Sequence, residues 1–205
     1  MTPQEKKKAL RAEALLRRAA RGEAELSRLS DALCRHIAAC DAFSGCDCLL
    51  LYAPVRGEID VTPLRAFADA REIPVGYPRT EENGGMTYRR VLPGTVLLPG
   101  AYRIPAPDAL APGIPLTAHT LLLVPALMGD RFGYRLGYGG GYFDRFLPAF
   151  PGTVLGVLPA EEIVEELPRD THDLPLPAFV TQNGLIFCPP PASPRQDVSQ
   201  TKSER

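Results

Sequence analysis

Hydrophobic and polar positions repeat with a helical period over the first forty residues. Thr2-Pro3-Gln4-Glu5 has the form of a capping box, with Thr2 as N-cap, Pro3 at the first helical position and Glu5 three residues on. Gly22 reads as the stop. Leu26, Leu29, Leu33 and Ile37 then fall on one face of a second helix. After Phe43-Ser44-Gly45 the pattern changes to short β-rich runs separated by helix and turn signals. Cys48–Tyr52 reads as a buried strand, and Thr62-Pro63 starts a helix running to about Arg71 with Thr62 as its cap. Ile73–Tyr77 and Met86–Leu92 are further strands. Thr120–Val124 is the strongest strand signal, a continuous apolar run of the kind found in parallel sheets. Tyr142–Leu147 reads as helix and Thr153–Leu158 as strand. Ala178–Gln182 and Leu185–Phe187 flank Asn183-Gly184, a type I′ hairpin signal.

Strands alternating with helices predict one α/β domain over residues 1–188, with a mostly parallel sheet between helical layers and an antiparallel hairpin near the end. From Pro189 the chain is rich in Pro, Ser, Gln and charge. Such a tail cannot bury a core and is expected to be mobile.

Composition narrows the function only by exclusion. The 23 basic and 24 acidic side chains nearly cancel, so bulk electrostatics gives no reason to expect a nucleic-acid or membrane-surface partner. No apolar run approaches the roughly 18 residues of a membrane-spanning helix. The charged amino terminus lacks the apolar centre of a secretory signal. Five cysteines, an odd number without zinc-type spacing, suggest neither a disulfide framework nor a structural metal. A reducing cytoplasm is the expected compartment, and a monomer the expected state. The charge is nevertheless uneven: residues 1–28 carry eight Lys/Arg against four Glu.

The stretch from Arg135 to Asp144 (RLGYGGGYFD) is the most informative. Gly137, Gly139, Gly140 and Gly141 crowd one loop that reads as directly downstream of the Thr120–Val124 strand. Ordering glycines is entropically costly, so a structured loop of this kind needs a backbone reason. One reason is a phosphate held by inward N–H groups with a helix N-terminus behind them. A tight ligand-free turn is the alternative. The loop is neither a Walker A sequence nor a dinucleotide fingerprint, since no Gly-Lys-Ser/Thr follows and position 142 is Tyr.

The stretch VPALMGDRFGYRLGYGGGYFDRFL resembles the signature of the 5-formyltetrahydrofolate cyclo-ligase family (methenyltetrahydrofolate synthetases). Further segments carry the same resemblance in the same order: the basic Lys7–Arg11 segment, LYAPVRGEIDVTPL, YPRT at 77–80 with Met86, and LPRDTHDLPLPAFVT at 167–181. The resemblance implies a three-layer α/β fold similar to sugar-phosphate isomerases and CoA transferases. It also implies ATP- and Mg²⁺-dependent ring closure of 5-formyltetrahydrofolate, through a phosphorylated formyl group.

By that resemblance, Arg135, Leu136, Gly137, Tyr138, Gly139, Gly140, Gly141, Tyr142 and Phe143 would embrace the ATP phosphates. Lys7 and Arg11 would reach in from the first helix, where a spacing of four puts both on one face. Asp144 and Asp173 would be the magnesium ligands; hard Mg²⁺ takes one or two carboxylates plus phosphate and water oxygens. Val55, Glu58, Met86, Tyr102 and Tyr142 would bind the folate. Arg135, Tyr142 and Glu58 would carry the catalytic roles. From the residues alone each has a plainer alternative: a solvated basic face for Lys7 and Arg11, an ordinary turn carboxylate for Asp144, an exposed acidic run for Asp173, a helix cap for Glu58, and core for Met86. Two positions depart from the common family pattern. Gly140 stands where many members have Lys, and Ala106 where many have Glu or Gln. The same fold with a metal-free isomerase or acyl transferase activity, or a binding protein without turnover, are the competing functions.

Overall fold

The structure, a computed structural model, describes residues 1–81 and 84–189. The expected tail therefore lies almost wholly outside the described residues. Two long helices open the chain, α1 (Pro3–Ala20) and α2 (Glu23–Ala39). The capping box forms as expected, with Thr2 Oγ1 accepting from the Glu5 N–H and the Glu5 carboxylate accepting from the Thr2 N–H. Helix α1 ends before Gly22, which serves instead as the N-cap of α2.

The short α3 (Asp41–Ser44) leads into β1 (Cys48–Leu50), and α4 (Leu64–Asp69) carries the chain to β2 (Val75–Thr80), which turns back as β3 (Met86–Arg90). A two-stranded ribbon, β4 (Leu98–Pro99) with β5 (Pro105–Ala106), precedes β6 (Thr120–Pro125). Next come β7 (Met128–Asp130), β8 (Arg135–Leu136) and the five-residue α5 (Tyr142–Phe146). The chain then runs through β9 (Thr153–Val157), β10 (Ile163–Val164), β11 (Ala178–Thr181) and β12 (Gly184–Phe187).

Seven strands form the main sheet in the order β12-β11-β9-β6-β1-β2-β3. The five inner strands are parallel, and the edges β3 and β12 are antiparallel. The inner strands are apolar on both faces. Leu49, Leu51, Leu121, Leu123, Leu155 and Val157 pack with Leu33, Ile37 and Leu64 of α2 and α4. On the other face Leu50, Leu122, Val124 and Val154 pack with Phe143, Phe146, Leu147 and Phe150 on and beyond α5. Helical layers covering both faces explain why these strands read as unbroken hydrophobic runs rather than alternating ones. No helix among the described residues is long and apolar enough to cross a membrane.

Strand order reverses at β1, which pairs with β2 on one side and β6 on the other. Loops leaving the carboxyl ends of β1 and β6 must diverge there, and such a divergence opens a crevice in α/β sheets. Helix α1 covers it. A small apolar cluster of Ala14, Leu127, Met128, Leu136 and Leu167 seats the helix, and Arg17 pairs with the buried Glu162 at 2.7 Å.

Several local expectations are corrected. Thr62 does not cap α4: its N–H and hydroxyl both donate to Asp60 Oδ1, at 2.8 and 2.6 Å, and Pro63 takes the cap position of a helix that ends at Asp69. The final hairpin is not type I′, which requires positive φ at both corner residues. Gln182 and Asn183 form the corner, Thr181 pairs with Gly184, and only Gly184 has positive φ (+115°). The glycine loop does not follow β6 directly; β7 and β8 intervene and form a three-stranded sheet with β10. The edge strand β3, antiparallel to β2, adds a reversal that the parallel reading lacked.

Phe179, fully buried, sits in a socket made by two glycines. A Cβ at Gly129 would lie 2.8 Å from Phe179 Cζ, and one at Gly156 would collide with the same ring and lie 2.9 Å from Leu176 Cδ1. Gly156→Ala is therefore expected to lower the unfolding free energy by about 1–3 kcal/mol. Denaturant titration measures this, and an unchanged midpoint would mean that β11 shifts at no cost.

Candidate active site

The loop leaving β1 closes tightly on itself. Arg56 (φ +50°) and Gly57 (φ +74°) are consecutive left-handed residues. The Glu58 N–H donates to the Val55 carbonyl at 3.1 Å, and Glu58 Oε2 accepts from the Val55 N–H at 3.0 Å. Tyr52 donates to the Ile59 carbonyl at 2.8 Å. Glu58 is only 6% exposed. Burial raises its carboxyl above the usual range, against the lowering effects of the Val55 N–H and the Arg18 and Arg56 guanidinia. Glu58 thus caps no helix; it is a buried acid at the carboxyl end of the first parallel strand.

The glycine loop faces it. Gly139 (φ +99°) and Gly141 (φ +67°) occupy conformations that a side chain would strain. Among the described residues, the N–H groups of residues 137–141 have no hydrogen-bond acceptor, and Tyr138, Gly139 and Gly140 are exposed, which leaves these donors free for solvent or a ligand. Three arginines hold the loop. Arg11 Nε donates to the Gly137 carbonyl at 2.9 Å, Arg18 Nη1 to the Tyr138 hydroxyl at 2.8 Å, and Arg145 Nη2 to the Gly140 and Gly84 carbonyls at 3.0 and 2.9 Å. The expected helix behind the loop is a five-residue turn without a side-chain cap. Any anion affinity here must come from backbone amides and side chains rather than from a helix dipole.

Cations and carboxylates at the bottom of the cleft pair with one another. The Arg135 side chain is 5% exposed, and its Nη2 lies 2.7 Å from Asp144 Oδ1. Burial pulls the guanidinium below its usual pKa, and Asp144 and, more distantly, Asp173 work against that. Lys7 Nζ donates to Asp170 Oδ2 and Asp173 Oδ2 at 2.6 and 2.5 Å. Burial lowers the Lys7 ammonium, but the two carboxylates outweigh it and the net displacement is upward. Asp173 Oδ2 also accepts from the Asp170 N–H. Tyr142 and Tyr102 approach hydroxyl to hydroxyl at 3.3 Å, with Tyr102 held at φ +56°.

One cavity of about 440 Å³ gathers these groups. Its lining includes Lys7 and Arg11 from α1, Val55 and Glu58 after β1, Met86 on β3, and Tyr102 beside the ribbon. Every residue from Arg135 to Asp144 lines it, and so does Asp173. All of the residues singled out from the sequence thus meet around a single space. A divalent cation of the hard type fits the donor set. Asp144 and Asp173 each engage one carboxylate oxygen with protein and leave the other without a donor among the described residues. No group of three or more His, Cys, Asp or Glu among the described residues forms a complete metal site. Mg²⁺ is commonly held by one or two carboxylates plus phosphate oxygens rather than by an all-protein cage.

The sequence model of the 5-formyltetrahydrofolate cyclo-ligase family matches residues 3–182. The chain belongs to this family. The 5-formyltetrahydrofolate cyclo-ligase of Escherichia coli K12 is 30% identical over 61% of this chain and 72% of its own length. That of Mycolicibacterium smegmatis is 38% identical over a shorter stretch, 32% of this chain and 36% of its own. The NMR structure of Aquifex aeolicus 5,10-methenyltetrahydrofolate synthetase superposes with a TM-score of 0.78 at 29% identity, covering 95% of this chain and 98% of that one. A synthetase from Mycoplasma pneumoniae shares the fold at a TM-score of 0.69 and 21% identity, over 86% of this chain and 98% of its own.

The two departures from the common cyclo-ligase pattern have local counterparts. A Cβ at Gly140 would lie 2.9 Å from the Tyr142 ring, so the ring occupies the space that a side chain at 140 would need. Ala106, on β5, is buried at 6% exposure and crowds Gly100 across the ribbon. Sequence reasoning missed Arg18, Arg56 and Asp170 as parts of the site. Arg18 had a signal, because the inward stripe Lys7, Arg11, Ala14, Arg18 keeps helical spacing for three turns. Asp170 was indistinguishable from its acidic neighbours until Lys7 met it.

The raised Glu58 carboxyl has a checkable sign. A group whose native pKa exceeds its unfolded value contributes stability that is fully present below about pH 4.5 and is lost as pH rises through the native value. The stability difference between wild type and Glu58→Gln should therefore move against wild type as pH rises from about 4 to 7. Paired thermal melts across that range measure it; a flat difference would mean Glu58 is not buried as an acid.

Proposed function

We propose that the chain catalyses the ATP- and Mg²⁺-dependent cyclisation of 5-formyltetrahydrofolate to 5,10-methenyltetrahydrofolate, releasing ADP and phosphate. One observation carries the reading. Residues from five separated segments, all in the family's motifs, converge on one cavity at the switch point of the sheet. In this reading the unpaired amides of residues 137–141 and the side chains of Lys7, Arg11 and Arg135 take the triphosphate. Glu58, Val55, Met86, Tyr102 and Tyr142 take the folate, with Glu58 accepting from pterin N–H donors. Asp144 and Asp173 would hold Mg²⁺, which when bound supplies charge neutralisation at the phosphates.

The chemistry follows from the leaving group. A formamide oxygen leaves poorly, so it first attacks the γ-phosphorus while the bond from phosphorus to the ADP oxygen breaks. The N10 lone pair then adds to the formyl carbon, N10 loses its proton, and phosphate departs to leave the methenyl cation. The residues' contribution is to align the two substrates and to screen the phosphate charge as the formyl oxygen approaches. The cleft's apolar side, with Met86, Ile104 and Pro78, keeps water from the activated formyl group. A cytoplasmic setting and a monomeric state belong to the same proposal.

Incubation with both substrates and Mg²⁺ should produce the methenyl absorbance and ADP in equal amounts. Folded protein that yields neither would reject the reading. Arg135→Ala should lower turnover by about 10²–10³-fold, the usual cost of removing one preorganised charge donor. Steady-state assays check it, and Asp144→Asn should show a loss that excess Mg²⁺ partly restores.

A further inference from the structure

Arg18 is a buried cation for which the mechanism above has no use. It lies in the last turn of α1, 8% exposed, and its guanidinium reaches three segments at once. Nη1 donates to the Tyr138 hydroxyl of the glycine loop at 2.8 Å. Nη2 donates to the Ala126 carbonyl, just past β6, at 2.9 Å. Nη1 also lies 3.8 Å from Glu58 Oε1 in the loop after β1. The stem is equally fixed: a Cβ on Gly57 would lie 3.2 Å from Arg18 Cγ, so the left-handed Gly57 turn closes directly on it.

Arg18 thus joins the loop after β1, the segment just past β6 and the glycine loop that follows β8. The glycine loop carries the proposed nucleotide half of the cleft, and the loop after β1 the proposed folate half. A guanidinium has a rigid fork of donors, so moving Tyr138 relative to Glu58 either breaks a part-buried charge-assisted bond or draws Arg18 away from its ion-pair contact with Glu58. Ligand contact that orders one loop thereby orders the other, and ordering already accomplished is not required of the second ligand.

We infer that Arg18 is a positioning residue that couples the two halves of the cleft, so that nucleotide and folate each raise the affinity for the other. The inference rests on the reading given under Proposed function. Arg56 and Tyr52 also stand beside Glu58, but Arg56 is exposed and reaches Tyr138 only as a cation over its ring, at 5.9 Å. Tyr52 hydrogen-bonds within its own loop.

Calorimetry with a non-hydrolysable ATP analogue plus Mg²⁺, and with 5-formyltetrahydrofolate, tests the coupling. Each ligand is titrated alone and then against protein saturated with the other. For wild type the folate Kd should fall about 5- to 100-fold when the nucleotide is bound, and the nucleotide Kd by the same factor. Arg18→Lys keeps the charge but not the fork, and its coupling ratio should fall toward one while each ligand still binds alone. Tyr138→Phe removes only the hydroxyl of a 40% exposed residue. It should reduce the ratio in the same direction, and it serves if the Arg18 variant fails to fold. A purely structural Arg18 would instead weaken both single affinities and leave the ratio intact, which overturns the inference. A wild-type ratio of one overturns it while leaving the proposed reaction standing. Wild-type protein that binds neither ligand overturns both.

Discussion

The pairing of Lys7 with Asp170 and Asp173, and of Arg135 with Asp144, is the constraint on which the site depends. It fixes where α1 sits, because Lys7 reaches across the cleft to a loop more than 160 residues later in the chain. It also allows one cleft to hold several part-buried charges close together. Lone buried charges cost several kcal/mol each, and partners within hydrogen-bond distance offset much of that. The pairs are not ordinary structural salt bridges. Lys7, Arg135, Asp144 and Asp173 line a cavity, and Asp144 and Asp173 each keep an oxygen without a donor among the described residues.

This explains why α1 has an inverted character. Most surface helices bury an apolar stripe and expose charge. Here the buried positions of α1 are Lys7, Ala14 and Arg18, while Leu16 is 73% exposed. A helix with so little apolar burial on its inner face cannot be seated by the hydrophobic effect alone. It is seated by the small cluster around Ala14 and by ionic and hydrogen-bonded ties to Glu162, Ala126, Tyr138 and Asp170. Under the proposed reading one of these ties serves twice, because Lys7, which docks the helix through Asp170, would also meet the phosphates.

How much of this was legible in the sequence differed by type of signal. The parallel core was legible because Leu121, Leu122 and Leu123 are apolar toward both helical layers, the pattern of a strand covered on both faces, and turn signals bound the run. The candidate site residues were picked out through motif order, and they line one cavity. What failed was local. Thr62 looked like a cap, yet Asp60 two residues earlier captured its N–H and its hydroxyl. Asn183-Gly184 looked like a type I′ corner, yet the pairing of Thr181 with Gly184 shifted the turn by one residue. Short strands such as β7, β8 and β10 left no periodicity to read, since two or three residues cannot display a period. Arg18 and Asp170 were missed for a different reason. Their roles are relations between distant segments, and single-sequence spacing does not encode these.

The glycine loop shows how a departure from a common pattern can be absorbed. Without a side chain at 140, the Tyr142 ring lies against the loop backbone, and Arg145 closes over that ring at 5.1 Å while holding the Gly140 carbonyl. With Arg11 on Gly137 and Arg18 on Tyr138, the loop is gripped along its length by arginines from outside rather than by its own side chains. A glycine-rich loop is otherwise costly to order, and such external grips restrict it before any ligand arrives. The cavity lining carries Lys7, Arg11, Arg56 and Arg135 against Glu58, Asp144 and Asp173, and Arg18 and Arg145 add cations at the loop itself, so the surroundings lean positive. Lys7 and Arg135 are nevertheless already engaged by carboxylates. Under the proposed reading these two would reach phosphate by exchange of partners, with the released carboxylates of Asp144 and Asp173 turning to the metal. A loop restricted in advance makes that exchange less costly, because the amides need no ordering at the moment the side chains change partners.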